Sequence, residues 1–159
     1  MPQEVIAKKI KFLSCNSSYD PKYQKYHYFQ INDGVIDLKV NLLSTLNYFI
    51  GGELSLAMWQ NKQKNFRTLL EYDVNVCRAF EKPEGKIIIG LMDFFFRESN
   101  MPKKCPIAKG NYTWRLTPDS LILPPFVMST KHQLVIKFYQ RQKSKKEYIS
   151  NDTIFFQIS

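Results

Sequence analysis

Apolar and polar residues alternate with a period of two through most of the chain. In Val35–Leu43, the residues Ile36, Leu38, Val40 and Leu42 alternate with Asp37, Lys39 and Asn41. That is the pattern of a strand with one buried face and one wet face. Asn32-Asp33-Gly34 just before it is a turn signal, so Tyr26–Ile31 and Val35–Leu43 are predicted to form a hairpin. Gly51-Gly52 reads as a break in a strand connection. Beyond it alternation resumes over Glu53–Trp59 through Leu54, Leu56 and Met58. Asn61–Asn65 is a polar turn, and Thr68–Val76 places Leu70, Tyr72, Val74 and Val76 on one face. Tyr112, Trp114 and Leu116 form a later strand, as do Leu134, Ile136 and Phe138 within Gln133–Gln140. Tyr148–Ile149 and Thr153–Ile158 are expected to pair around a turn at Ser150-Asn151-Asp152. Pro124-Pro125 excludes a central strand from Leu121–Met128.

One segment changes period. After the turn Lys82-Pro83-Glu84-Gly85, the residues Ile87, Ile88, Leu91, Met92, Phe95 and Phe96 cover one broad face of a helix that ends near Ser99-Asn100. Gly90 costs such a helix about 1 kcal/mol relative to Ala, and the Phe triplet also suits a strand. On a helix, Phe94, Phe95 and Phe96 span about 200°. They cannot all face one core, so one of them is expected to meet a second apolar environment. Eight or nine short strands and one helix predict a mainly β fold: a two-sheet antiparallel sandwich or a barrel, in a single domain over residues 1–159.

Composition adds twelve Phe and nine Tyr, which predict a large core or a large apolar contact surface. No apolar stretch reaches the roughly 18 residues of a membrane-spanning helix. The formal charge is +9, which favours contact with anionic surfaces. The densest basic group, Arg141–Lys146, reads as a solvated hairpin or strand end. Tyr19, Tyr23, Tyr26 and Tyr28 with Lys22 and Lys25 mix aromatic and basic residues, as single-strand nucleic-acid binders do. An edge strand with packed rings and wet hydroxyls accounts for them better, so nucleic acid is not an expected partner.

Candidate chemistry is sparse. There is no phosphate loop, GxSxG elbow, HExxH or calcium loop. Two histidines and three cysteines without a CxxC do not make a zinc site. No enzyme, metal or cofactor is expected. The basic start MPQEVIAKKIKFLSC lacks the apolar run of a secretory leader. Sequons at Asn16, Asn111 and Asn151, with the basic charge, nevertheless favour a secreted domain whose leader is not in this chain. The stretch between Cys77 and Cys105 poses three readings, a stapled hairpin, a redox or metal site, or the gate of an apolar pocket; ligand counting removes the metal site and the lack of a CxxC weakens the redox one. A bridge between them would close about 29 residues and contribute roughly 3.5 kcal/mol.

The series Tyr72-Asp73-Val74-Asn75-Val76-Cys77-Arg78-Ala79-Phe80, an apolar helix, Ser99-Asn100 and then Cys105-Pro106 resembles a large insect family of secreted domains of unknown function. That family includes the chemosensory protein B (CheB) group. The early Cys15, the strand Ile36–Leu43 and Leu123-Pro124-Pro125 followed by Leu134–Tyr139 extend the resemblance over residues 5–158. The family is similar to the ganglioside-activator and ML lipid-recognition proteins. This resemblance implies a β-cup, an antiparallel two-sheet sandwich with an apolar cavity and one short α-helix between Cys77 and Cys105. It implies a Cys77–Cys105 disulfide, leaving Cys15 without a partner. It also implies non-enzymatic binding of a lipid or apolar ligand such as a cuticular hydrocarbon or pheromone, in chemosensory perception. The expected pocket residues are Leu54, Leu56, Met58, Leu91, Phe95, Trp114 and Phe138. The alternative is a secreted module that binds a receptor or an anionic membrane surface through its basic face.

Overall fold

Alternating segments of this kind must stack their apolar faces, and they do so as two antiparallel sheets. The computed structural model describes residues 8–47, 49–124 and 126–159. Eight strands occur among them: β1 (Ile10–Tyr19), β2 (Gln24–Asn32), β3 (Val35–Leu42), β4 (Ile50–Gln60), β5 (Asn65–Asn75), β6 (Gly110–Leu116), β7 (Lys131–Gln142) and β8 (Lys145–Ile158). The larger sheet has the order β1-β8-β7-β4-β5 and the smaller β2-β3-β6. The β2–β3 hairpin turns at Asp33 and Gly34, both with positive φ, as the Asn-Asp-Gly signal requires.

Two helices join β5 to β6. The first, α1 (Val76–Glu81), begins where the Asn75 side chain accepts a hydrogen bond from the Arg78 amide. The second, α2 (Lys86–Phe96), lies where the change of period placed it. The Cys77–Cys105 disulfide ties α1 to the loop beyond α2. A three-residue 3-10 turn, Pro118–Ser120, precedes Leu121–Pro124 and Phe126–Met128, which are not in strands.

All three Phe of the triplet are buried. They divide between two environments, which resolves the crowding expected of one face. Phe95 stands edge-on to Phe138 of β7, and Phe96 stands edge-on to Phe80 of α1. Ile87, expected on the buried face, is exposed instead.

Three local expectations are corrected. Gly51-Gly52 is not a break, because β4 runs through it. A Cβ on Gly51 would lie 2.0 Å from the Tyr139 ring, so glycine is what lets that ring cross the strand. Ser150-Asn151-Asp152 is not a turn either, and β8 continues through it for 14 residues. These polar residues pair with Phe138, Lys137 and Ile136 of β7, and the inward Asp152 finds a polar partner across the sandwich. Finally, Val76 belongs to α1 rather than to the preceding strand.

The interior has two ends along the strand direction. At one end Ile36, Leu116, Ile154, Phe156 and Ile158 are completely buried. The opposite end lies under α2 and carries the candidate site.

Candidate functional site: a hollow between the sheets

Strand register fixes what faces the interior beneath α2. Opposite residues in a pair share a face, so Phe138 and Ser150 face inward together, as do Leu54, Ile136 and Asp152. From the smaller sheet, Val40 is flanked by His27 and Tyr112, and Leu38 by Phe29 and Trp114. Between these layers is a hollow of about 60 Å³, walled by Leu38, Val40, Phe95, Trp114 and Phe138 among others. Two smaller hollows follow the underside of α2. One, of about 20 Å³, lies against Leu54, Leu91, Phe95 and Phe138. The other, of about 40 Å³, lies against Leu54, Leu56, Leu91 and Ile122. Phe95 and Phe138 border both the first and the second.

Of the residues expected to line a pocket, Phe95, Trp114 and Phe138 wall the main hollow, while Leu54, Leu56 and Leu91 border the smaller two. Met58, also expected to line a pocket, borders none of the three. Its position opposite the buried His132 places it at the solid end.

The main hollow has a polar end that alternation did not reveal. His27 of β2 and Asp152 of β8 meet across the sandwich, with Nε2 2.8 Å from Oδ1 and both side chains 2% exposed. The other ring nitrogen, Nδ1, lies 2.7 Å from Oε1 of Gln24. Tyr19 stacks on the ring with centroids 5.8 Å apart. Burial pushes the Asp152 carboxyl above its ordinary range, against the opposing pull of His27. Ser150 and Gln24 complete this end. The only sequence signal for it was the polar triplet Ser150-Asn151-Asp152 inside an apolar run, which equally fits a turn.

Cys15 is a free thiol beside this cluster, donating to the Phe29 carbonyl at 3.6 Å. Burial pushes its pKa up, with the Asp152 charge acting the same way and the Ile31 backbone opposing. Such a thiol is poorly nucleophilic.

A second polar cluster lies on the outer face of the larger sheet. Lys146 contacts Asp73 at 2.6 Å and Glu53 at 2.8 Å, while Tyr139 donates to Asp73 at 2.5 Å and Tyr148 to Glu53 at 2.8 Å. Burial pushes both carboxyls up, but the bonds from Lys146 and the tyrosines outweigh it and hold them below their usual range. The arrangement is a cross-strand clamp. Among the described residues no group of three or more potential metal ligands converges.

The sequons at Asn16 and Asn151 lie in β1 and β8, not in turns. Asn16 and Asn111 are exposed, and Asn151 is half-buried with an unpaired Oδ1.

A family model, described as protein of unknown function (DUF1091), matches residues 53–134, just over half of the chain. The chain belongs to the DUF1091 family. No curated protein matches it. The DUF1091 match runs from β4 through the disulfide, both helices and β6 to the start of β7. It therefore covers the helical wall of the hollow, whereas His27, Ser150 and Asp152 come from flanking strands.

Proposed function

We propose that this DUF1091 protein is a non-enzymatic binder of apolar or amphiphilic small molecules, taken up between its sheets beneath α2. The observation that carries the reading is the row of apolar hollows under a helix held as a disulfide-bounded flap. A binding pocket for a whole ligand is about 300–1,000 Å³. The closed form does not reach that size, so uptake requires α2 to move away from the larger sheet. The Cys77–Cys105 bridge confines such movement to the segment between the two cysteines and preserves the surrounding sandwich. The resemblance to chemosensory protein B and to ganglioside-activator and ML proteins supports the same reading, with pheromone or related chemosensory ligands as the ligand class. The disulfide and the exposed Asn16 and Asn111 sequons support an extracellular setting.

A locked helix tests this. An ideal Cβ on Gly90 lies 3.6 Å from the Ile122 Cβ, within the range of a disulfide. In a Cys15→Ser background, Gly90→Cys with Ile122→Cys pins α2 to the neighbouring segment when oxidised. The unlocked protein, and the Gly90→Ser/Ile122→Ser control, should bind the apolar dye N-phenyl-1-naphthylamine saturably at one site. The locked form should lose at least tenfold in affinity. Equal binding by both forms, or none by either, overturns the reading.

A second reading is favoured by one surface feature. Ile87 and Ile89 of α2 and Ile122, Phe126 and Met128 of the following segment are 38–67% exposed. With Lys86 beside them, they suit contact with a receptor or an anionic membrane. Salt-sensitive sedimentation with phosphatidylserine vesicles, together with no dye uptake, would favour this role over ligand carriage.

A further inference from the structure

The polar end of the hollow constrains the chemistry of what it holds. Both ring nitrogens of His27 face oxygen atoms of Asp152 and Gln24, so neither is left for a ligand. The second carboxylate oxygen of Asp152, the Ser150 hydroxyl and the Gln24 amide nitrogen have no partner among the described residues. They are not sealed off either, since among the described residues the only buried side-chain polar atoms without a partner are His132 Nε2 and Asn151 Oδ1. All three residues border the main hollow, whose remaining wall is almost wholly hydrocarbon. That hollow, about 60 Å³, matches the volume of about two waters. It is the size of the end of a chain rather than of a whole lipid.

We propose that Gln24, Ser150 and Asp152 form the head-group site for a long-chain ligand that ends in a neutral hydroxyl. This inference rests on the apolar-binding reading and narrows it. A hydroxyl donates to the free Asp152 oxygen and accepts from the Gln24 amide or Ser150, satisfying both polarities with one atom. A carboxylate head has no hydrogen to give Asp152 and meets a second carboxyl in a low-dielectric site. A plain hydrocarbon leaves three polar groups desolvated and unpaired, a situation that strongly disfavours such an analogue. An ammonium satisfies Asp152 but offers the Gln24 amide no acceptor. The chain then runs from this end under Phe95 and Phe138 toward the smaller hollows.

The wild-type protein can be tested with chain-matched competitors for bound N-phenyl-1-naphthylamine: dodecan-1-ol, dodecanoate, dodecan-1-amine and dodecane. Dodecan-1-ol should compete at least tenfold more tightly than each of the others. Asp152→Asn should raise dodecanoate affinity at least tenfold relative to dodecan-1-ol, a selective change that a merely structural role would not produce. Ser150→Ala, which leaves the His27–Asp152 and His27–Gln24 contacts in place, should weaken dodecan-1-ol and strengthen dodecane, which then leaves one polar group fewer unpaired. If the dye binds but the four heads compete equally, or the acid or amine wins, the head-group assignment falls and the apolar reading stands. If the dye does not bind at all, both fall.

Discussion

The two ends of the sandwich interior use the same strands differently. At the solid end, β8, β3 and β6 contribute Ile36, Leu116, Ile154, Phe156 and Ile158, none of which has measurable exposure. At the other end the same three strands, joined by β7, present Phe138, Ser150 and Asp152 to Leu38, Val40 and Trp114, and the space is only partly filled. At the solid end only the hollow of about 40 Å³ intrudes, where Leu134 and Phe156 meet Leu91 and the Leu121–Pro124 segment. The hollow end is closed by α2, with Phe95 and Phe96 inserted and a disulfide at its base. A close-packed interior gains dispersion contacts from every atom, and hollows forgo them. The difference therefore separates a close-packed half from a half that is less completely filled.

The largest effect that tests this contrast is loss of a ring. Phe156→Ala should destabilise by about 4 kcal/mol, whereas Phe138→Ala should cost about 2 kcal/mol, because Phe138 is only half-buried and borders two of the hollows where Phe156 borders one. Equal losses in denaturant melts would dissolve the distinction. Replacing Cys77 and Cys105 by Ser should cost roughly 3.5 kcal/mol. Amide exchange should then accelerate first in α2 and last in β7 and β8. Uniform acceleration would show that the flap is not a separate unit.

A smaller effect belongs to the outer face at the hollow end. Gly51→Ala must displace Tyr139, which breaks its hydrogen bond to Asp73. A loss of about 2 kcal/mol is expected, and a Gly51→Ala/Tyr139→Phe double mutant should show strong non-additivity.

The smallest effect is a pH slope. The Asp152 carboxyl is held above its unfolded value, chiefly by burial. Its favourable contribution is therefore complete below the unfolded carboxyl pKa and is lost as pH rises through the folded one. Asp152→Asn should accordingly gain in stability relative to wild type on going from acid to neutral pH. A constant difference across that window would show that Asp152 does not titrate differently on folding. No such slope is expected from substitutions at the solid end's apolar residues.

The β2–β3 hairpin was legible in the sequence because a type of turn and an alternation coincide at one place. The helix was legible because six apolar residues change period together. The pairing of Cys77 with Cys105 entered through a family resemblance rather than through spacing. Three of the expected pocket residues, Phe95, Trp114 and Phe138, do wall the main hollow, since inward aromatics near a helix must meet the space beneath it. Met58 misled because period two gives the face of a strand and not the position along it. Ser150-Asn151-Asp152 misled because polar residues mark turns only when they stay in water. Here His27, 125 residues away in the chain, supplies what water would have given Asp152.

By itself the sequence determined the local grammar: which segments extend, which face of each is apolar, where the chain turns and where a helix interrupts. These depend on neighbours within a few residues. The tertiary structure alone decided how the two sheets are superimposed, and with it which strand positions meet across the interior. That superposition put His27 against Asp152, left Gly51 beneath Tyr139, and filled one end of the core while leaving hollows at the other. Residues so distant in sequence interact only through packing and desolvation, which a one-dimensional pattern does not record.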